Sequence, residues 1–282
     1  MQEIYRKLLH VASVLPQGHM YLTGLESMLA TCAKKPFVPH HPDTGLDQDL
    51  NWWLDKLKNG AIIHSIHPPP LFLDLEAFSD ASSGFGISIT IGNQWRAWRL
   101  RPDWSTLHGK KDIRWAEAVS FEFLIRAVDI HLSDPRHVIL HGDNTSIIEG
   151  WRVGRHCNRA VNTIFKHIHA FLESARHVCG IATCYIPIED NPADQPSRGI
   201  YDARHCLLLP FQLPEHLRVF LTDTNDPLSA RELRELREGW YSSNATRTLT
   251  CLWAQQEAAE RSRAESQLEN ELINHTLQSD KS

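Results

Sequence analysis

The sequence predicts an α/β protein with one mixed β-sheet flanked by helices, and three observations support this fold class. From residue 71 onward, β-prone runs and amphipathic runs follow in the order βββ-α-β-α-α-β-α, which gives a five-stranded sheet. The first 60 residues instead carry apolar side chains at helical spacing. The 282 residues are 42% hydrophobic and 22% charged, which excludes a disordered chain and a collagen-like repeat.

The N-terminal segment is predicted to be helical. Helical spacing of apolar residues continues up to Pro16-Gln17-Gly18 and resumes over residues 20–32 and 46–57. The run Pro68-Pro69-Pro70 predicts a stiff linker and a domain boundary. The chain should therefore comprise a helical segment over 1–60, a linker over 61–70, a central domain over 71–200 and a charged, partly helical and partly disordered tail over 201–282.

The central domain is expected to begin with an antiparallel meander. Its three strands are predicted over residues 71–79, 86–91 and 94–100. Gly92-Asn93 resembles a tight hairpin turn between the last two strands. A helix over 112–131, capped by Asp112, should follow. The remaining predicted elements are a buried strand over 137–141, a short helix after Asp143, a helix over 158–177, a strand over 181–186 and a last helix that starts near Asp190-Asn191-Pro192.

Four carboxylates lie where such a sheet would present an active site. Asp80 and Asp143 each end a predicted strand, and adjacent parallel strands place such ends side by side. Glu117 falls on the apolar face of its helix, where a carboxylate is rare unless it is paired or binds a metal. Asp194 falls in the first turn of the last helix, where an acid can simply complement the helix dipole. Glu117 could likewise extend from the edge of its face to Arg126 or Arg114.

Four gathered carboxylates would repel one another, so the group makes physical sense around divalent cations. Hard oxygen ligands favour Mg²⁺, or Mn²⁺, over zinc. Two such ions roughly 3.5–4 Å apart can activate a water molecule and stabilise the leaving oxygen of a phosphodiester. The histidines and cysteines lack the close pairs typical of zinc sites.

Four sequence blocks carry a family resemblance. They are Ser79-Asp80-Ala81-Ser82 with Gly84-Phe85-Gly86, then Trp115-Ala116-Glu117-Ala118, Gly142-Asp143-Asn144, and Asn191-Pro192-Ala193-Asp194-Gln195-Pro196-Ser197-Arg198. Together they resemble the ribonuclease H domain of retroelement reverse transcriptases, most closely the DIRS/Ngaro tyrosine-recombinase retrotransposons. The resemblance covers about residues 71–200, and residues 1–60 resemble part of the connection segment of the same polyproteins.

The resemblance implies a ribonuclease H-like fold and a nuclease. Asp80, Glu117, Asp143 and Asp194 would be catalytic and would hold two Mg²⁺ ions. The RNA strand of an RNA–DNA hybrid would be hydrolysed. Contacts to the hybrid backbone are implied for Ser82, Gly84 and Asn144, whereas Ser197 and Arg198 would only close the last helix.

Two departures from the family pattern matter. Many ribonucleases H carry a product-release histidine shortly before the last acid, but residues 183–193 contain none. The sequence also has no Tyr-x-Asp-Asp block, so it lacks a polymerase active site. An inert or repurposed nucleic-acid-binding module is therefore an alternative. A second alternative is a 3′–5′ exonuclease that uses Asp74-x-Glu76 with Asp143 and Asp194 instead of Glu117.

Charge and targeting signals leave these hypotheses open. Residues 71–200 hold 14 basic and 15 acidic groups, and only 11 acidic groups remain when the four candidate ligands are set aside. This modest basic excess suits a phosphate backbone. No secretory signal or membrane span is evident, so we expect an intracellular protein, cytoplasmic or nuclear, with neither a membrane nor a small molecule as its partner.

Overall fold

The computed structural model describes residues 1–42, 45–59, 70–200, 206–208 and 211–223. Within them, seven strands form one mixed sheet in the order β5-β4-β1-β2-β3-β6, with β7 also paired to β3. The strands are β1 (Phe72–Ala81), β2 (Gly86–Ile91), β3 (Gln94–Leu100), β4 (Arg136–Gly142), β5 (Val178–Tyr185), β6 (Cys206–Leu207) and β7 (Leu221–Asp223). This α/β arrangement is compatible with a ribonuclease H-like fold.

The first three strands form the predicted antiparallel meander. Gly92 has a positive φ of 55° in the turn between β2 and β3, where Ile91 pairs with Gln94. Gly86 is required for a different reason, because a Cβ there would lie 2.0 Å from the carbonyl oxygen of Trp98. Strands β1, β4 and β5 are parallel to one another. Their carboxyl ends therefore meet at one edge of the sheet.

Helices cover the sheet and form a separate N-terminal layer. They are α1 (Gln2–Ala12), α2 (Thr23–Lys34), α3 (Leu46–Lys58), α4 (Ile113–His131), α5 (Thr145–Arg152), α6 (Arg159–Leu172) and α7 (Asp194–Ser197), with 3₁₀ turns at Pro16–Leu22, Ile188–Asp190 and Glu215–Leu217. Helix α4 packs against β1 and β2 and is buried along most of its length. It therefore forms the centre of the main core.

The sheet uses its two faces differently. Along β2, Ile87, Ile89 and Ile91 point into the main core with α4. The intervening Ser88 turns its hydroxyl to the other face, where it donates a 2.5 Å hydrogen bond to the carbonyl oxygen of Ala193, just before α7. This alternation places α4 and α7 on opposite sides of β2.

The N-terminal helices have their own small core and attach to the central domain by both apolar and polar contacts. The small core consists of Leu8, Ala12, Leu22, Leu25, Leu46 and Trp53. Met20 belongs to the main core instead. Ion pairs join Lys56 to Glu173 at 2.7 Å and Arg155 to Glu26 at 2.7 Å, and a third joins Lys166 to the buried Asp49. These ion pairs therefore link the N-terminal helices to α6 and to the residues just before and after it.

Several predictions differ from the structure in detail. The five predicted strands are present as β1–β5, and the short strands β6 and β7 add to them by pairing with the outer edge of β3. Such pairing satisfies backbone groups that an edge strand would expose. The predicted helix over 158–177 is five residues too long, because α6 ends at Leu172. The last helix has only four residues, after a 3₁₀ turn.

The N-cap position predicted for Asp112 is confirmed. Asp112 occupies the N-cap position of α4, but its side chain makes no capping hydrogen bond. It accepts hydrogen bonds from Arg114 and Asn158 instead.

Parts of the predicted domain organisation fall on residues that the structure does not describe. Apart from Pro70, the linker predicted over 61–70 lies outside the described residues, as does most of the tail predicted over 201–282. The described parts of that tail contain β6, β7 and a 3₁₀ turn rather than an α-helix. Among the described residues, no helix combines the length and apolar character needed to cross a bilayer.

Candidate active site

Two parallel strands bring the first two acids together. In the register of β1 and β4, Ser79 pairs with Gly142, so Asp80 and Asp143 follow at equivalent positions. This register comes after an irregularity in β1 between Asp74 and Phe78. Asp80 is only 4% exposed, whereas Asp143 is half-buried. The predicted adjacency of the two strand ends is confirmed.

Helix α4 adds the third acid. One carboxylate oxygen from each of Asp80, Glu117 and Asp143 lies within 4.8 Å of the other two. Glu117 also accepts hydrogen bonds from the side chain of Asn144 and from the backbone N–H of Ala81. The carboxylate therefore points towards the sheet edge rather than to Arg126 or Arg114.

The fourth acid, Asp194, lies beside this group rather than within it. Its Oδ1 accepts hydrogen bonds of 2.8 and 2.7 Å from Nε and Nη2 of Arg198, one helical turn later. Asp194 is close enough to raise the pKa values of Asp80 and Asp143 by charge repulsion. Asp194 is therefore a neighbour of the three-acid cluster, and Arg198 orients its carboxylate.

The acids are electrostatically unfavourable as they stand. Burial, together with repulsion from Asp143 and Asp194, raises the pKa of Asp80 to about 6, although a hydrogen bond from Ser197 opposes the rise. Burial and then repulsion from Asp80 and Asp143 raise the pKa of Glu117 well above its usual value. Burial also raises the pKa of Asp143. The positive charge of Arg198 opposes these rises at Asp80 and Asp143 but offsets them only in part.

The chemistry of these donors fits a divalent cation. Asp80, Glu117 and Asp143 could hold a metal ion, because they offer oxygen ligands from three different elements at one point. An all-carboxylate donor set is the kind that Mg²⁺ and Mn²⁺ prefer. A bound cation would also relieve the repulsion that raises the three pKa values.

Two residues make contacts at this site that were not predicted. Ser197 is fully buried, and its hydroxyl donates to Oδ2 of Asp80, whereas sequence reasoning gave it only the closing of a helix. Asn191 donates from Nδ2 to the carbonyl oxygen of Ser79 at 3.2 Å and hydrogen-bonds the carboxylate of Asp143. Both residues belong to the sequence block around Asp194. That block was interpreted as the start of a helix, not as a source of hydrogen bonds to the acids.

The three residues predicted to contact substrate lie around this cluster. Ser82 and Gly84 form the turn after β1, where the backbone N–H of Ser82 donates to the carbonyl oxygen of Gly86 at 2.7 Å. Gly84 is exposed. The oxygen of Asn144 caps α5 by accepting from the backbone N–H groups of Ser146 and Ile147. Because Asn144 also donates to Glu117, it orients a candidate ligand.

The alternative acid pair on β1 points elsewhere. Asp74 lies six residues before Asp80, is exposed, and pairs with Nε2 of His141 at 3.0 Å. Glu76 has a positive φ of 50° within the irregular part of the strand. Among the described residues, neither joins the group of Asp80, Glu117 and Asp143.

Comparisons with protein-family models and with curated proteins identify no relative of this chain. No protein-family model matches the sequence, and no curated protein matches it. The function of the protein is therefore inferred from the geometry of the carboxylate cluster.

Proposed function

We propose that this protein is a metal-dependent nuclease that hydrolyses the RNA strand of RNA–DNA hybrids. The observation that carries the proposal is the convergence of Asp80, Glu117 and Asp143, whose oxygen atoms lie within 4.8 Å of one another. Three buried or half-buried carboxylates from two strand ends and one helix are what a cation-assisted phosphodiester hydrolase requires. Asp194 lies beside this group, near enough for its charge to raise the pKa values of Asp80 and Asp143, and we propose it as the fourth ligand.

The topology supports the finer assignment to a ribonuclease H-like domain. An antiparallel meander is followed by a helix, and parallel strands β4 and β5 then extend the sheet beyond β1. The acids occupy the strand, helix, strand end and final helix that the resemblance implies. From the resemblance of the four sequence blocks, we propose that the chain derives from a reverse transcriptase of a DIRS/Ngaro-type retroelement, with a connection-like N-terminal segment and without polymerase catalytic motifs.

Each side chain in the site has a role in the proposed reaction. Asp80, Glu117, Asp143 and Asp194 would hold two Mg²⁺ ions, or Mn²⁺, which supply water activation and stabilisation of the leaving oxygen when bound. Ser197 and Asn191 hold the carboxylates of Asp80 and Asp143 in place. Asn144 does the same for Glu117 and Arg198 for Asp194. These outer contacts fix the ligands before a cation arrives.

A cleavage assay tests the proposal. The substrate is an RNA–DNA hybrid labelled separately on each strand, and the proteins are wild type, Asp143→Asn and the matched control Asp74→Asn. We expect Mg²⁺-dependent internal cuts in the RNA strand by wild type and by Asp74→Asn, and their loss in Asp143→Asn. Stepwise shortening from 3′ ends that Asp74→Asn abolishes would instead support the exonuclease alternative. Hybrid binding without any cleavage by wild type would support an inert binding module.

A further inference from the structure

A second group of metal-ligating side chains lies away from the carboxylate cluster. Glu122 of α4, His167 of α6 and His216 of the 3₁₀ turn Glu215–Leu217 each place one ligand atom within 4.8 Å of the other two. The three residues come from three separate elements. No local spacing in the sequence could therefore have predicted the group.

The carboxylate in this group is already held in one orientation. Glu122 is fully buried, and its Oε1 accepts hydrogen bonds of 2.9 and 2.7 Å from Nε and Nη2 of Arg126. The guanidinium of Arg126 in turn lies 4.4 Å from the ring centre of Phe171. The other oxygen, Oε2, lies 3.2 Å from Nε2 of His216. Glu122 thus has one oxygen anchored by a cation and the other facing the imidazoles.

The two imidazoles are close together but are not satisfied by each other. Their ring centres are 3.7 Å apart at an angle of 49°. Nδ1 of His167 is buried and has no hydrogen-bond partner among the described residues. A buried polar atom without a partner is unfavourable, and such atoms call for a specific explanation. The hydrogen bond between Glu122 and His216 accounts for one histidine and leaves the other unexplained.

The donor set identifies the class of ligand. Two imidazoles and one carboxylate are typical ligands of Zn²⁺, whereas Mg²⁺ prefers oxygen donors alone. Metal-bound carboxylates commonly accept a hydrogen bond from a residue that does not touch the metal, as Glu122 does from Arg126.

We propose that Glu122, His167 and His216 bind a Zn²⁺ ion that fixes the segment over residues 211–223 to helices α4 and α6. The same segment packs Phe211 against Trp98 and Phe123 and contributes β7 to the edge of the sheet. The ion would therefore stabilise the sheet edge formed by β3. This site is independent of the proposed nuclease reaction.

Thermal unfolding of chelator-treated protein with added ZnCl₂ tests the proposal. Wild type should unfold at a temperature about 5–10 °C higher when free Zn²⁺ exceeds its dissociation constant about 100-fold. His167→Ala and His216→Ala should each lose this shift. His131→Asn, at the exposed end of α4, should keep it and serves as the matched control. MgCl₂ in place of ZnCl₂ should give no shift that depends on His167 or His216.

Two further measurements decide where the ion binds. Asp143→Asn should retain the zinc-dependent shift, because the carboxylate cluster is a different site. Co²⁺ added to wild type should give the visible absorption of an imidazole-bound ion, and this band should vanish in His167→Ala. An unshifted wild type, a shift that survives in both alanine variants, or a shift lost in Asp143→Asn would each overturn the proposal. Glu122 and His216 would then form a hydrogen bond only.

Discussion

The two groups of metal-ligating side chains balance their charges in opposite ways. In the carboxylate cluster, Asp80, Glu117 and Asp143 face one another, and burial and mutual repulsion raise their pKa values. In the second group, the single carboxylate of Glu122 is already paired with Arg126. We therefore propose that the first group needs a cation from outside, whereas the carboxylate of the second group is balanced without one and would be stabilised further by it.

The arginines explain this difference. Arg126 is one turn from Glu122 on the same helix and bonds it directly. Arg198 has the same spacing from Asp194, but its hydrogen bonds go to that peripheral acid rather than to the three-acid cluster. A buried carboxylate beside its own arginine is a structural feature. Buried carboxylates without one are typical of a functional site.

The largest expected effect is on cleavage of the RNA strand. Glu117→Gln should reduce the rate at least about 10³-fold, because removing a metal ligand forfeits several kcal/mol of transition-state stabilisation. The exposed Asp134→Asn, which alters an acid outside both groups, is the control and should cleave like wild type. A Glu117→Gln protein as active as this control would remove the carboxylate cluster from the reaction.

The next largest effect is on stability in the second group. Glu122→Ala should lower the free energy of unfolding by about 3 kcal/mol, because it leaves the mostly buried Arg126 guanidinium unpaired. Glu149→Ala breaks a comparable pair with Arg152 at the surface of α5 and should change stability little. Urea unfolding measures both changes. Equal effects would mean that the Glu122–Arg126 pair is not buried as described.

A third prediction concerns pH and the metal-free protein. The pKa of Asp80 is raised to about 6 in the folded state, against about 3.9 for an unfolded aspartate. The native state therefore binds more protons between these values, and the free energy of unfolding should fall as pH rises from about 4 to about 7. The loss should be roughly 3 kcal/mol, since each pKa unit corresponds to about 1.4 kcal/mol.

Urea unfolding from pH 4 to pH 8 measures this loss, with Asp80→Asn as the comparison. The variant should show a flatter pH dependence, and saturating Mg²⁺ should restore the stability of wild type at pH 8. Identical slopes for the two proteins would contradict the unfavourable charge assigned to Asp80.

The smallest expected effect comes from the hydroxyl that supports Asp80. Ser197→Ala removes the donor to Oδ2 and should slow cleavage about 10-fold, as loss of an outer contact to a metal ligand does. Stability should fall by about 1 kcal/mol. Ser174→Ala, whose exposed hydroxyl bonds only a helix-end carbonyl, is the matched control. If both variants cleave at the wild-type rate, Ser197 does no more than close α7.

Sequence reasoning succeeded where short-range patterns determine the structure. Strand alternation and helical spacing predicted β1–β5 and α4, and the parallel pairing of β1 with β4 then places Asp80 beside Asp143. Helical spacing also placed Glu117 on the apolar face of α4, and this unusual position identified it as a candidate metal ligand. Side-chain period and strand direction are properties that local sequence carries.

Long-range side-chain contacts were not accessible in this way. Ser197 reaches Asp80 across 117 positions of the chain, and His216 reaches Glu122 across 94. Strands β6 and β7 depend on the exposed edge of β3 rather than on their own short sequences. Contacts of this kind follow from the packed fold, so they became visible only in three dimensions.

Mn²⁺ binding to chelator-treated protein tests the central claim most directly, because that claim is that the carboxylate cluster requires a divalent cation. Titration followed by electron paramagnetic resonance should show two bound Mn²⁺ ions on wild type and at least about 10-fold weaker binding on Asp143→Asn. Asp74→Asn should bind like wild type. Equal Mn²⁺ affinity and stoichiometry in wild type and Asp143→Asn would contradict the account.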